Sequence, residues 1–192
     1  MSSLSRLGAA ALYLAATAIV AALVHLVVVL LVPLVATNDA YARVSKLGEV
    51  NATILLPQAG PGERLIPDAD PAVATSICRF DLAAGPLRVR APLGRSGFAS
   101  ISMRTRRGLV FYALTDKAAT RGTIEAVVAT PAQARALAAH DDEDNPSTDL
   151  RVPSPSSQGL VVMRAFSELP GLYPEAEAEA RGLRCSTEPA PP

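Results

Sequence analysis

Two patterns of apolar positions divide the chain. Over residues 7–35 the side chains are almost all apolar, and no Lys, Arg, Asp or Glu occurs between Arg6 and Asp39. A helix over residues 7–35 is about 43 Å long, more than the roughly 30 Å hydrocarbon core of a bilayer requires. Residues 7–36 are therefore expected as a transmembrane helix, behind a short tail of residues 1–6. A cleaved signal peptide is the competing reading, but its apolar region usually runs to about 7 to 15 residues and ends in small residues at the cut. The run here is longer, and cuts after Ala36 or Ala40 put Leu34 or Asn38 where a small residue is wanted. An uncleaved signal anchor is favoured.

Beyond Ala74 the period shortens to two. In GFASISMRTRRGLVFYALT (97–115), Ala99, Ile101 and Met103 alternate with Phe98, Ser100, Ser102 and Arg104, the pattern of a sheet with one wet face. Arg107-Gly108 places a hairpin turn, with Gly108 supplying the positive φ and residues 109–115 returning as a strand. Further strands are expected over 75–82, 87–91, 123–130 and 159–166, antiparallel for the most part; Leu160, Val162 and Arg164 share one face of the last. Thr130-Pro131 opens PAQARALAAH with an N-cap and a proline at the first helical position. PEAEAEARGL (174–183) carries acids early and Gly182 near its stop, so both read as short helices.

Residues 37–72 are rich in Pro, Gly and Asp and are expected as an irregular approach, with a short amphipathic stretch at 40–50 and an apolar run at 53–56. The expected architecture is an N-terminal single transmembrane helix plus a mainly β domain, antiparallel and β-sandwich-like, over residues 73–186. One or two short helices accompany it, and residues 187–192 form a disordered Pro-rich tail. With 192 residues, 49% of them hydrophobic, the chain has room for one ordinary domain and an appendage.

Cys78 and Cys185 are the only cysteines. An even pair beyond a membrane segment suits a disulfide formed in an oxidising compartment; two free thiols facing the cytosol are the alternative. Flanking charges do not decide orientation, since Arg6 stands on one side and Arg43 and Lys46 on the other. His25, set within the apolar run, needs a hydrogen-bond partner. A carbonyl of its own helix or interfacial water suffices, and contact with a second membrane protein is the functional reading.

Candidate chemistry is thin. A serine hydrolase needs His140 as its base, but His140 sits in the polar stretch HDDEDNPSTD and no glycine-flanked nucleophilic serine occurs. One histidine and two cysteines are too few for a zinc site. Asp68 and Asp70 lack the further spaced ligands of a calcium loop, and the acidic residues 141–144 read as a solvated loop. AAGPLRV and LGRSGFAS miss the spacing of phosphate-binding loops. The absence of Trp and 4% aromatic content speak against single-stranded nucleic acid. No cofactor, metal or catalytic residue is expected, and no nucleic acid partner.

One charge pattern stands out. Between Asp81 and Asp116 there are six arginines and no acid, and Arg88, Arg90, Arg104 and Arg106 project from strands. They form a basic patch for an anionic partner or ligand if those strands are neighbours, or an ordinary wet face if acids from elsewhere pair with them. Ser154 and Ser156 in RVPSPSSQGLVV read as an entry loop.

The segments TNDAYARV after the apolar run, DPAVATSICRFDLAAGPLRVRAP, RRGLVFYAL and RVPSPSSQGLVVMRAF together resemble the bacterial family called domain of unknown function 1254, in its short form. The resemblance runs from the apolar helix to about Cys185. It implies an envelope-facing β-sandwich-like domain with no established catalytic residues. Longer relatives continue into a second domain of unknown function, numbered 1214, so a separate envelope protein carrying that domain is the implied partner, besides the lipid bilayer. The expectation is a single-pass protein of the bacterial inner membrane, N-terminus cytoplasmic and C-terminal domain periplasmic, acting as a non-enzymatic interaction or assembly module. The alternative is a periplasmic binding domain for a small anionic or lipid-like ligand. A flat basic face favours the first; an apolar pocket lined by Arg88, Arg90 or Arg104 favours the second.

Overall fold

The computed structural model describes residues 3–35, 39–60, 69–94, 97–119, 122–141 and 149–189. Asp68, residues 142–144 and residues 190–192, singled out above, lie outside them, as does Arg95, one of the six arginines between Asp81 and Asp116. The chain divides into two compact units, residues 1–38 and residues 39–192. The first is a single helix, α1 (Ser3–Val35), whose segment Arg6–Val32 is long and apolar enough to cross a membrane. Length and composition alone suit an anchor or a signal sequence. His25 lies exposed within it.

The second unit contains, among the described residues, nine strands in two sheets. β1 (Thr53–Leu55), β2 (Val73–Asp81), β8 (Gln158–Phe166), β4 (Ala99–Thr105) and β5 (Val110–Thr115) form a five-stranded antiparallel sheet in that order. β7 (Leu150–Pro153), β6 (Thr123–Ala129), β3 (Leu87–Pro92) and β9 (Arg184–Thr187) form the other, antiparallel except for the parallel pair β6 and β7. Alternation places the apolar set of each strand on one side. Phe80, Ile101, Met103, Val161 and Met163 of the five-stranded sheet thus join Leu87, Val89, Ala126 and Val128 of the four-stranded sheet in one buried cluster. A disulfide between Cys78 in β2 and Cys185 in β9 ties the sheets across 107 residues of chain.

Local chemistry explains the details. Gly108 has φ +87°, as the turn between β4 and β5 requires. Gly159 lets β8 run close to its neighbours: a Cβ there would sit 2.1 Å from the Arg104 carbonyl oxygen and 2.5 Å from the Phe80 ring. α3 (Pro131–Ala139) opens with a capping box, in which the Thr130 hydroxyl accepts from the Gln133 N–H (3.2 Å) and the Gln133 side chain accepts from the Thr130 N–H (2.9 Å). α4 (Tyr173–Ala180) buries Ala176 and Ala180 in the core cluster.

Three strands were not expected. β7 and β9 have four residues each and β1 only three, too short for alternation to announce them. Residues 39–55, expected as an irregular approach, instead supply α2 (Ala40–Val44) and β1. Both belong to the domain: β1 pairs with β2, and Tyr41 and Val44 of α2 pack with Leu56, Ile77, Leu160 and Val162 in a second buried cluster. Because Ile77 and Val162 alternate with the core residues of β2 and β8, this cluster lies on the outer face of the five-stranded sheet.

Candidate functional site

The site is built around α2. Asp39 caps this one-turn helix by accepting from the Ala42 N–H at 2.7 Å, and its other carboxylate oxygen accepts from Arg106 at 3.3 Å. Tyr41 donates its hydroxyl to the Phe80 carbonyl (3.3 Å). The guanidiniums of Arg79 and Arg106 each lie 5.2 Å from the Tyr41 ring centroid, within cation–π range. The DAY of TNDAYARV is therefore the clamp that holds α2 on the sheet, and Arg106 is part of that clamp. Arg106 also donates to the Gln158 side chain at 3.1 Å.

Beside the clamp, α2 and the sheet leave an open cavity of about 190 Å³. Val44, Leu47, Leu56, Ile77, Leu160 and Val162 give it apolar walls, and among the described residues the charged side chains lining it are Arg43, Arg104 and Arg164, with no acid. Arg104 on β4 stands opposite Leu160, and Arg164 on β8 stands opposite Ser100, so the two arginines share the outer face of adjacent strands. Burial depresses the Arg104 guanidinium's affinity for its proton, and the neighbouring Arg164 charge adds to the effect. Arginine stays ionised all the same. Arg104 donates from Nε to the Ser102 hydroxyl at 3.3 Å. Among the described residues no carboxylate lies within ion-pair distance of Arg43, Arg104 or Arg164. Asp81, the acid at the end of β2, is engaged elsewhere: it accepts from the Gln158 side chain (2.8 Å) and the Ala83 N–H (2.9 Å). Those bonds hold its carboxyl below the usual carboxylate range.

The four arginines that would form a basic patch if their strands were neighbours are divided between the two sheets. Arg88 and Arg90 project from β3, outward from the four-stranded sheet; Arg104 and Arg106 belong to the β4 hairpin in the five-stranded sheet. Arg88 binds Asp149 through two bonds (2.7 and 3.1 Å) and also Glu188, which together hold its guanidinium pKa well above the ordinary arginine value. Arg90 meets Glu125 on the neighbouring strand at 3.0 Å. The patch does not form because β3 and β4, consecutive in the chain, enter different sheets. Ser154 is buried and donates to the Ser156 carbonyl (2.7 Å), fixing the loop before β8 as expected. Arg43 was not singled out from the sequence, and Arg164 only by its shared face with Leu160 and Val162. An arginine standing out of a period-two apolar run was the signal available for Arg164.

The fold defines a class: a two-sheet, mostly antiparallel β domain following a long apolar helix, with an arginine-rimmed apolar cavity on one outer face. The chain belongs to the family described as Protein of unknown function (DUF1254), which matches residues 50–187. Its fold is similar to that of the VPA0106 protein from Vibrio parahaemolyticus, with a TM-score of 0.51 at 15% identity over 77% of this chain and 34% of that one. A second solved structure, an uncharacterized protein from Burkholderia cenocepacia, aligns over 69% of this chain and 37% of that one, with a TM-score of 0.43 at 13% identity. The chain thus spans about a third of the length of these solved proteins. No curated protein matches it.

Proposed function

We propose that the domain binds a small anionic amphiphile, a carboxylate or phosphate ester carrying a short apolar chain, in the cavity between α2 and the five-stranded sheet. The observation that carries this reading is half-buried Arg104 with exposed Arg164 beside it: two cations with no carboxylate at ion-pair distance among the described residues, against apolar walls. Holding a partly buried charge unpaired is costly, and an anionic group supplies the missing charge-assisted bonds. The apolar walls suit the chain of the same molecule. The cavity is about 190 Å³. A short alkyl segment fits; a whole phospholipid does not.

In this reading α1 is an uncleaved anchor in the bacterial inner membrane, residues 1–6 face the cytoplasm and the β domain works in the periplasm as a non-enzymatic binding module. The disulfide supports an oxidising compartment. A separate envelope protein as partner, the one the family resemblance implies, is a second reading. His25 is then the contact to examine in the helix.

Two measurements test this. Titrating the full chain, purified in a neutral maltoside detergent, with octyl phosphate, octanol and octyltrimethylammonium by calorimetry should give heat of binding for the anion alone. Equal binding of all three, or of none, sinks the ligand. A membrane-impermeant thiol reagent applied to intact cells should label Cys78 and Cys185 only after reduction; labelling without reduction only after lysis puts the domain in the cytoplasm.

A further inference from the structure

We infer that the cavity takes a doubly charged phosphate monoester of a short-chain alcohol in preference to singly charged anions, and that Arg43 of α2 confers the preference. This narrows the anion reading above and rests on it.

The three arginines reach the cavity from three directions. Arg104 stands opposite Leu160, and Arg164 lies four residues further along β8, about 14 Å of strand, with Val162 between them on the same face. Arg104, Val162 and Arg164 all line the cavity, and Arg43 enters it from α2, which packs on that face of the sheet. Arg104 commits its Nε to the Ser102 hydroxyl at 3.3 Å, which leaves its terminal nitrogens for a ligand. Thr75, opposite Arg164 on β2, adds a hydroxyl to the same wall. A carboxylate offers two oxygens in one plane, which a single guanidinium fork satisfies. A phosphate monoester offers three, set tetrahedrally, so it bonds guanidiniums arriving from several sides at once.

Charge points the same way. Among the described residues no carboxylate lies at ion-pair distance from any of the three arginines. Burial, and then the Arg164 charge, weakens the hold of Arg104 on its proton, so these two guanidiniums feel each other before any ligand arrives. The acids next to Arg43 in the chain do not offset this. Asp39 is bonded to the Ala42 N–H and to Arg106; exposed Glu49 does not line the cavity, and exposed Lys46 adds another cation to the segment. A phosphate monoester carries close to two negative charges above its second pKa of about 6, whereas a phosphate diester keeps one. Arg104 and Arg164 on the sheet answer one negative charge, and Arg43 answers the second.

The test uses the full chain with its disulfide intact, in a neutral maltoside detergent at about pH 8. Calorimetry should show octyl phosphate binding at least tenfold more tightly than octyl methyl phosphate and octyl sulfate, which keep the alkyl chain and carry one charge. R43Q should bring that ratio below about three with the thermal melt unchanged, since Arg43 is exposed. R43K, which keeps the charge, should preserve the ratio, and so should R135Q on α3, away from the cavity. Phosphorus NMR gives an independent readout: a tenfold preference for the dianion requires bound octyl phosphate to lose its second proton about one pH unit or more below the free ester. Equal binding of the three compounds overturns the inference and leaves the anion site standing. A ratio that survives in R43Q overturns the part assigned to Arg43. Binding of none of the three defeats the anion reading itself.

Discussion

On the outer face of the four-stranded sheet, Arg88 is held by Asp149 and Glu188, and Arg90 by Glu125. On the outer face of the five-stranded sheet, Arg104 and Arg164 face each other's charge against Leu160 and Val162, with no acid among the described residues lining the cavity. The residue type is the same on both faces. What differs is the chain around it: on one side strand pairing and two remote segments bring carboxylates to the arginines, and on the other α2 brings apolar side chains and one more arginine. An arginine surrounded by acids stabilises the fold; one surrounded by apolar groups and other arginines is poised for an anion from outside.

The disulfide that joins the two sheets offers the largest perturbation. Cys78→Ser with Cys185→Ser should lower stability by about 5 kcal/mol on the chain-entropy argument for a loop of this length, read in urea unfolding. The anion should still bind whatever remains folded, because neither sulfur lines the cavity. Charge reversal comes next and cuts between the faces: Arg104→Glu with Arg164→Glu should weaken octyl phosphate binding at least 100-fold with little loss of stability. If binding persists in that variant, the asymmetry of the two faces has no functional meaning. The converse is Arg88→Ala, which should cost about 1 to 2 kcal/mol in stability by stripping two carboxylates of charged bonds and leave the affinity for octyl phosphate unchanged.

Asp81 sharpens the comparison through pH. Its carboxyl is held below the ordinary range by the Gln158 bond first and the Ala83 N–H second. A group whose folded pKa is depressed stabilises the fold fully above its unfolded value, about 4, and loses that contribution as pH falls through the lower folded value. Asp81→Asn should therefore flatten the loss of stability below about pH 4, seen as a shallower acid limb in thermal melts. The smallest effect belongs to Arg90→Ala: its guanidinium is largely exposed, and breaking the pair with Glu125 should change stability by less than about 0.5 kcal/mol.

Much of the domain is written in the periodicity of its own segments. The alternation in residues 99–104 and 159–166 announced β4 and β8, Arg107-Gly108 announced the hairpin that joins β4 to β5, and Thr130-Pro131 announced α3 and its cap. β1, β7 and β9 were not readable, because three or four residues carry too little periodicity and exist as strands only by pairing with longer neighbours. The cavity was readable in halves. Leu160, Val162 and Arg164 share a face by period alone, whereas Arg104 joins them through a pairing of β4 with β8 across about sixty residues of chain, and Arg43 through the docking of α2.

By itself, then, the sequence determined what depends on neighbours within one element: a helix long and apolar enough to span a bilayer, the period-two strands, the turn, the cap, and the presence of two cysteines and a run of arginines without acids. The tertiary structure alone decided which sheet each strand entered, and with it that Cys78 meets Cys185, that Arg88 finds its acids and that Arg104 does not. The physical reason is that side-chain direction along a strand is fixed by local geometry, while charge neutralisation and cavity formation depend on which distant segments pack together.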